Sequence, residues 1–237
     1  MTPSPFGDRI KPMPKKIFLL FLIFFSATSL FASDYAGEKI VYAISPVGTS
    51  EYQDKGMVEL NSKKANLVIF HTRTVGLDDT ETIYSQPEDL LPLRVERDIK
   101  LPVGQERIVE EYQPEKFLYI MRKFKEGKQV EEKKFVGDGG PIQNAITLPF
   151  YLRKLPDLKI GWSFVARFPE KFEIKLVNVE EVQVPAGKFM AYHFTSSPDK
   201  FEIWISQDSR RIPVKIKGLS GLGYALLMSK YRGPDKQ

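Results

Sequence analysis

The chain has 237 residues, of which 42% are hydrophobic and 27% charged, and it contains no cysteine. That absence excludes disulfides, zinc–thiolate sites, thiol chemistry and a lipid-modified N-terminal Cys. The formal net charge is +5, but the first 33 residues hold four bases against one acid. The remainder carries 31 bases and 29 acids, too even a balance for a nucleic-acid footprint.

Lys11, Lys15 and Lys16 precede an unbroken apolar run, Ile17 to Phe25, which is followed by the small Ser26-Ala27-Thr28-Ser29. Basic, apolar and small residues in that order predict a secretory signal peptide over residues 1–33. The run is shorter than the roughly 20 residues of a membrane-spanning helix. An uncleaved anchor from Ile17 to Phe31 is the rival reading. Residues 34–237 are expected to form a single β-rich domain, long enough to bury about 70% of its unfolded surface. The expected localisation is periplasmic or otherwise exported.

Beyond Asp34 the text alternates short β-branched and aromatic runs with turn residues. Strands are predicted at Glu38 to Ser45, Met57 to Leu60 and Ala65 to Val75, the last two joined by a polar turn at Asn61 to Lys64. Further strands are predicted at Thr80 to Ser85, Leu93 to Ile99, Glu106 to Tyr112, Phe117 to Phe124 and Gln129 to Val136. Ile142 to Lys154 reads as one short helix with Ile142, Ala145, Ile146, Leu148 and Leu152 on one face, Pro141 in its first position and a kink or restart at Pro149. Strands resume at Trp162 to Phe168, Phe172 to Val184, Lys188 to Ser196, Phe201 to Ser206, Ile212 to Lys217 and Gly223 to Tyr231. Val184-Pro185-Ala186-Gly187-Lys188 is a turn between long antiparallel strands. Ile212, Val214 and Ile216 predict one buried face, and Pro213, which cannot donate to a ladder, predicts an edge or outer strand.

Residues that carry chemistry are sparse. Gly218-Leu219-Ser220-Gly221-Leu222 resembles a hydrolase elbow, but its last position is not glycine and its flanks read as strands, so a hairpin is expected. His71 and His193 are isolated, without metal-ligand spacing, and read as sheet or core histidines. Asp78-Asp79 and Glu180-Glu181 place each neighbour on opposite strand faces and read as solvated charge. Gly137-Asp138-Gly139-Gly140 lacks the Lys-Ser/Thr end of a phosphate loop and reads as a turn with Asp138 near the helix cap. No metal, cofactor or catalytic residue is assigned. Outside the first 31 residues, 11 Phe, 10 Tyr and 2 Trp remain. They are enough to fill a core or to line an apolar cavity.

Several short stretches, in order, carry a family resemblance. They are Gly37-Glu38-Lys39-Ile40-Val41-Tyr42, Leu148-Pro149-Phe150-Tyr151-Leu152-Arg153 with Gly161, Val184-Pro185-Ala186-Gly187-Lys188-Phe189, and Ile203-Trp204-Ile205-Ser206 with Asp208 and Arg211-Ile212-Pro213-Val214. From Gly37 to Tyr231 the chain resembles a bacterial exported family, the domain of unknown function 3108. The resemblance implies no established activity and no catalytic residues. At fold level it implies something similar to the periplasmic lipoprotein-carrier folds, in which a curved sheet wraps a short helix and holds acyl chains.

The combined expectation is a mainly β fold: a curved antiparallel sheet or incomplete β-barrel of about a dozen strands with one short helix against its concave face. The expected function is non-enzymatic binding of an apolar or amphiphilic, lipid-like envelope component, in a cavity lined by Tyr42, Phe70, Tyr119, Phe150, Tyr151, Phe164 and Trp204. Alternatives are a structural or assembly factor acting on an envelope protein partner, and an envelope-polymer hydrolase.

Overall fold

The computed structural model describes residues 35–218 and 224–235. The predicted signal peptide and most of the Gly218 to Leu222 stretch lie outside the described residues. The first half of the domain is a meander of eight strands: β1 (Lys39–Ser45), β2 (Thr49–Leu60), β3 (Lys63–Thr74), β4 (Leu77–Ser85), β5 (Pro92–Lys100), β6 (Gln105–Gln113), β7 (Leu118–Lys125) and β8 (Lys128–Val136). The second half contributes β9 (Ser163–Phe168), β10 (Glu170–Val184), β11 (Gly187–Ser197), β12 (Glu202–Ser206), β13 (Pro213–Lys217) and β14 (Ala225–Arg232). Among the described residues a single α-helix, α1 (Leu148–Leu152), lies between them.

All fourteen strands form one antiparallel sheet in the order β8-β7-β6-β5-β4-β3-β2-β1-β14-β13-β12-β11-β10-β9. The first and last strands pair at the centre, Lys39 opposite Arg232 and Ser45 opposite Ala225. The edges are β8 and β9, so the sheet is curved but not closed into a barrel. The chain must pass from one edge to the other between Gly137 and Trp162, and it does so across one face of the sheet. That face is called inner below.

Local chemistry sets most of the turns. Leu60 pairs with Lys63, leaving a two-residue turn at Asn61 and Ser62, both at positive φ (50° and 63°). Asn tolerates this conformation and the turn's twist matches that of the strands. Pro185-Ala186 closes the β10–β11 hairpin, where Val184 pairs with Gly187. The Ala186 N–H donates to Met228 O at 3.0 Å and ties that turn to β14.

Three predicted details change. The strand predicted at Met57 to Leu60 begins eight residues earlier, at Thr49. Its inward positions include the buried Ser50 and Asp54, which hide the apolar period; Ser50 Oγ lies 2.8 Å from Thr72 Oγ1, and Asp54 accepts from Gly56 N at 2.7 Å and Asn66 Nδ2 at 3.3 Å. The helix covers only Leu148 to Leu152, with Pro149 in its opening turn rather than at a kink. Residues 142–147 are irregular because Asn144 Oδ1 accepts from the N–H groups of Ile146 (2.8 Å) and Thr147 (3.1 Å), an alternative to continuing a helix. Pro141 is therefore in a loop, and Asp138, 88% exposed and paired with Lys171, is far from any cap. Lastly, β13 is interior, between β12 and β14, despite Pro213. The ladder slips between Trp204 and Ile205 where Ile205 meets Pro213, and the Tyr42 hydroxyl donates to Pro213 O at 2.9 Å. The missing N–H falls at a bulge, where no ladder bond is forfeited.

The core lies between the crossing segment and the inner face. Ile40, Tyr42, Tyr52, Val68, Ile83, Ile174, Leu176, Phe194, Ile203, Val214 and Met228 pack beneath Leu148, Phe150 and Leu152. Phe150 stacks on Tyr52 with centroids 3.6 Å apart. Arg153, just past α1, donates to both oxygens of Glu38 at 2.9 and 2.6 Å with both side chains buried. Thr147 Oγ1 donates to Leu90 O at 3.2 Å, and Gln143 N–H to Arg167 O at 2.7 Å, so the crossing is fastened to both halves.

Candidate functional site: a charged cleft under the crossing segment

Beyond α1 the crossing segment leaves part of the inner face open. A cleft of about 240 Å³ lies there, between residues 142–146 and the inner residues of β3 to β7. The strand registers explain its composition. Glu81 on β4 faces Phe70 on β3 and Arg97 on β5. On the same face, Asp79 opposes Thr72 and Ile99, and Glu110 on β6 opposes Val95 and Met121. Three carboxylates and one guanidinium therefore sit at positions of the alternation that face inward.

The partners are specific. Arg97 Nε donates to Asp79 Oδ1 and Oδ2 at 3.0 and 2.8 Å, and Nη2 adds a third bond to Oδ2. Asp79 is 4% exposed, so its pairing with Arg97 is what makes its burial tolerable. Glu81 approaches Arg97 only to 3.6 Å, beyond hydrogen-bond distance. Burial, reinforced by Asp79 and Glu110 and opposed by Arg97, pushes the Glu81 carboxyl up to about 7. Glu110 accepts from the hydroxyls of Tyr112 (2.7 Å) and Tyr119 (2.9 Å), whose rings stack at 4.8 Å. Burial and the Glu110 charge hold both phenols well above their ordinary range.

At one end the cleft shares Phe70, Ala145, Ile146 and Tyr224 with a narrow apolar recess of about 20 Å³ that also touches Tyr42, Phe150, Ile216 and Leu226. The space available is below the roughly 300–1,000 Å³ of common ligand pockets. It has room for a head of about eight non-hydrogen atoms at ~30 Å³ each, not for an enclosed acyl chain.

The residues predicted to line a cavity are dispersed. Phe70 and Tyr119 line the charged cleft, and Tyr42 and Phe150 the recess. Tyr151 and Phe164 pack against one another with centroids 5.7 Å apart, away from both. Trp204 is on the opposite face: its strand neighbours Ile203 and Ile205 point inward, and its ring stacks on His193 at 4.2 Å with the indole N–H donating to Glu180 at 2.8 Å. Trp204 is thus corrected from cavity lining to a covered residue of the outer face.

Both histidines are also on that outer face. His193 lies between Glu180 (3.1 Å) and Glu202 (2.9 Å), and His71 Nε2 is 2.8 Å from Asp78. The acidic pairs predicted as solvated charge divide accordingly: Asp78 meets His71 outside, while Asp79 is buried inside. A larger outer hollow of about 820 Å³ over β5 to β7 is lined by Arg94, Arg107 and Arg122. Those three cations are engaged by Glu96 (2.7 and 2.6 Å), Glu111 (2.6 Å) and Glu132 (2.8 Å).

The sequence does not single out Glu81, Arg97, Glu110, Tyr112 or Asn144, and it offers Asp79 only as solvated charge. A signal was there: Arg97 sits between Val95 and Ile99 at period two, and Glu110 between Ile108 and Tyr112. A charge at the apolar parity of a strand marks a position turned toward the interior.

The fold and site together define a protein built on one open, curved antiparallel sheet, covered by its own crossover and holding a small charged cleft. The family described as Protein of unknown function (DUF3108) matches residues 39–224, and the chain belongs to it. Comparison with curated proteins and with solved structures returns no match. Among the described residues no helix is long and apolar enough to cross a membrane.

Proposed function

We propose that the protein is a non-enzymatic binding protein for a small amphiphile, which places its polar head in the inner cleft and its apolar part against Phe70, Ile146 and Tyr224. The observation that carries this reading is the junction of a charged cleft with an apolar recess through shared walls. A ligand matching that junction has one polar and one apolar end. The open mouth lets a longer tail remain outside, so the lipid carrier expected from the aromatic content becomes a head-binding protein. The engagement of both histidines by outer-face carboxylates supports a binding role over a hydrolytic one. The basic and apolar order of residues 11–25 supports action outside the cytoplasm after export.

Native mass spectrometry of the protein purified without detergent, before and after organic extraction, tests the reading. The expected result is a bound amphiphile near one per chain. Ala145→Trp, which fills the space where cleft and recess meet, is expected to abolish it while circular dichroism stays unchanged. Retention of the ligand in that variant would place binding elsewhere, and a clean apo mass after incubation with envelope lipids would reject the reading.

A further inference from the structure

Resting on that reading, we infer that the ligand's head is a cation: a primary or quaternary ammonium held between Glu81, Glu110 and the aromatic walls of the cleft. Three carboxylates face a single guanidinium there. The Arg97 charge is matched by Asp79, to which its Nε and Nη2 donate, so the guanidinium brings no unpaired positive charge to the cleft. The nearby inner-face cations Lys123 and Lys125 are spent on Glu106 at 2.6 and 3.0 Å. The charge left over belongs to Glu81 and Glu110. Among the described residues Glu81 receives no hydrogen bond, although its side chain is only 17% exposed. A carboxylate shielded this far from water and without a donor is under-satisfied, and a ligand N–H or a positive charge supplies what is missing.

The walls point the same way. Phe70, Phe168, Tyr112, Tyr119 and Tyr224 surround the carboxylates, and aromatic faces attract ammonium groups through the ring quadrupole. One further group shapes the head. Asn144 lines the cleft and is 7% exposed; its Oδ1 caps Ile146 and Thr147, while its Nδ2 makes no hydrogen bond among the described residues. That free donor calls for an acceptor near the cation, as in an amino alcohol or an aminoacyl group. An anionic head meets repulsion from two carboxylates, while the one guanidinium of the cleft is already charge-paired with Asp79, so phosphate and sulfate amphiphiles are disfavoured.

Calorimetric titration of the mature protein with octylammonium, octyl sulfate and octyl glucoside, each below its micelle concentration, tests the charge. Octylammonium is expected to bind about tenfold more tightly than the neutral glucoside, and octyl sulfate more weakly than either. Glu81→Gln and Glu110→Gln keep the shape and an acceptor but remove the charge, so in the double variant octylammonium affinity is expected to fall about tenfold and its preference over the glucoside to disappear. A butylammonium arm separates the sources: comparable affinity identifies a soluble amine, and its loss identifies a lipid headgroup. Octyl sulfate binding as well as octylammonium, or an unchanged preference in the double variant, overturns the cation. Failure of all three octyl probes rejects the binding reading itself and the inference with it.

Discussion

Arg153 and Glu38 form a bidentate ion pair inside the protein, 115 residues apart in sequence and both essentially inaccessible to solvent. The guanidinium also lies 3.6 Å from the Tyr35 ring centroid and 5.0 Å from that of Phe150, and Tyr231 donates to Glu38 at 3.1 Å. The pair joins the end of the crossing segment to the start of β1 and to β14. Removing one member strands the other charge in the core, so Glu38→Gln or Arg153→Met is expected to cost about 3–5 kcal/mol. A double replacement by apolar residues of similar size is expected to cost less than either single change. Urea unfolding of the three variants checks the order, and additive effects would show that the pair does not act as a unit.

Phe150 is the principal apolar contact of α1, 2% exposed and stacked on Tyr52. Phe150→Ala should leave a cavity over β2 and lower stability by about 3–5 kcal/mol. Val103→Ala, at a loop position 90% exposed, should change it by no more than about 0.5 kcal/mol. Thermal denaturation of both variants makes the comparison.

The sheet was legible in the sequence because its strands are β-branched and bounded by turn residues, and that pattern places every strand but most of β2. What misled the reading was polarity at inward positions. Ser50 and Asp54 concealed most of β2, and Asp79 passed as surface charge because its partner, Arg97, is 18 residues away and appears only when β4 and β5 are in register. The sequence pattern predicts too long a helix because an apolar face over residues 142–152 satisfies helical spacing, while Asn144 diverts the backbone by capping two N–H groups with its own side chain. Of the aromatic residues expected in one cavity, Phe70 and Tyr119 stand on the cleft and Tyr42 and Phe150 on the recess. Trp204 lies on the outer face instead, because an aromatic between two inward neighbours reads as core when His193 and Lys215 cover it from outside.

Glu81 gives the protein a pH dependence of defined sign. Its carboxyl is raised from 4.5 to about 7 in the folded state by burial and by Asp79 and Glu110, against Arg97. Between those values the folded chain holds a proton that the unfolded chain has released, so stability falls as pH rises through about 7. The shift corresponds to about 3 kcal/mol at most. Carboxylates held below their ordinary range, such as Glu96 and Glu202, act with the opposite sign and below about 4.5. Urea midpoints should therefore decline from about pH 5 to about pH 8 in the parent chain and decline less in Glu81→Gln. Equal slopes in the two proteins would show that Glu81 is not the titrating group.

Trp204 tests whether the proposed ligand belongs to the inner face of the sheet. Its ring is 4% exposed, with His193 stacked at 4.2 Å, Lys215 Nζ 4.1 Å from the centroid and the indole N–H on Glu180. Trp204→Phe keeps an aromatic ring but removes the hydrogen bond, which should lower stability by about 1–2 kcal/mol. The cleft lies on the other face of the same sheet, so amphiphile affinity should stay within about twofold of the parent, a free-energy change smaller than the stability loss. Loss of binding in Trp204→Phe, with the fold intact by circular dichroism, would move the ligand to the outer face, where Glu180, His193 and Glu202 would form its site.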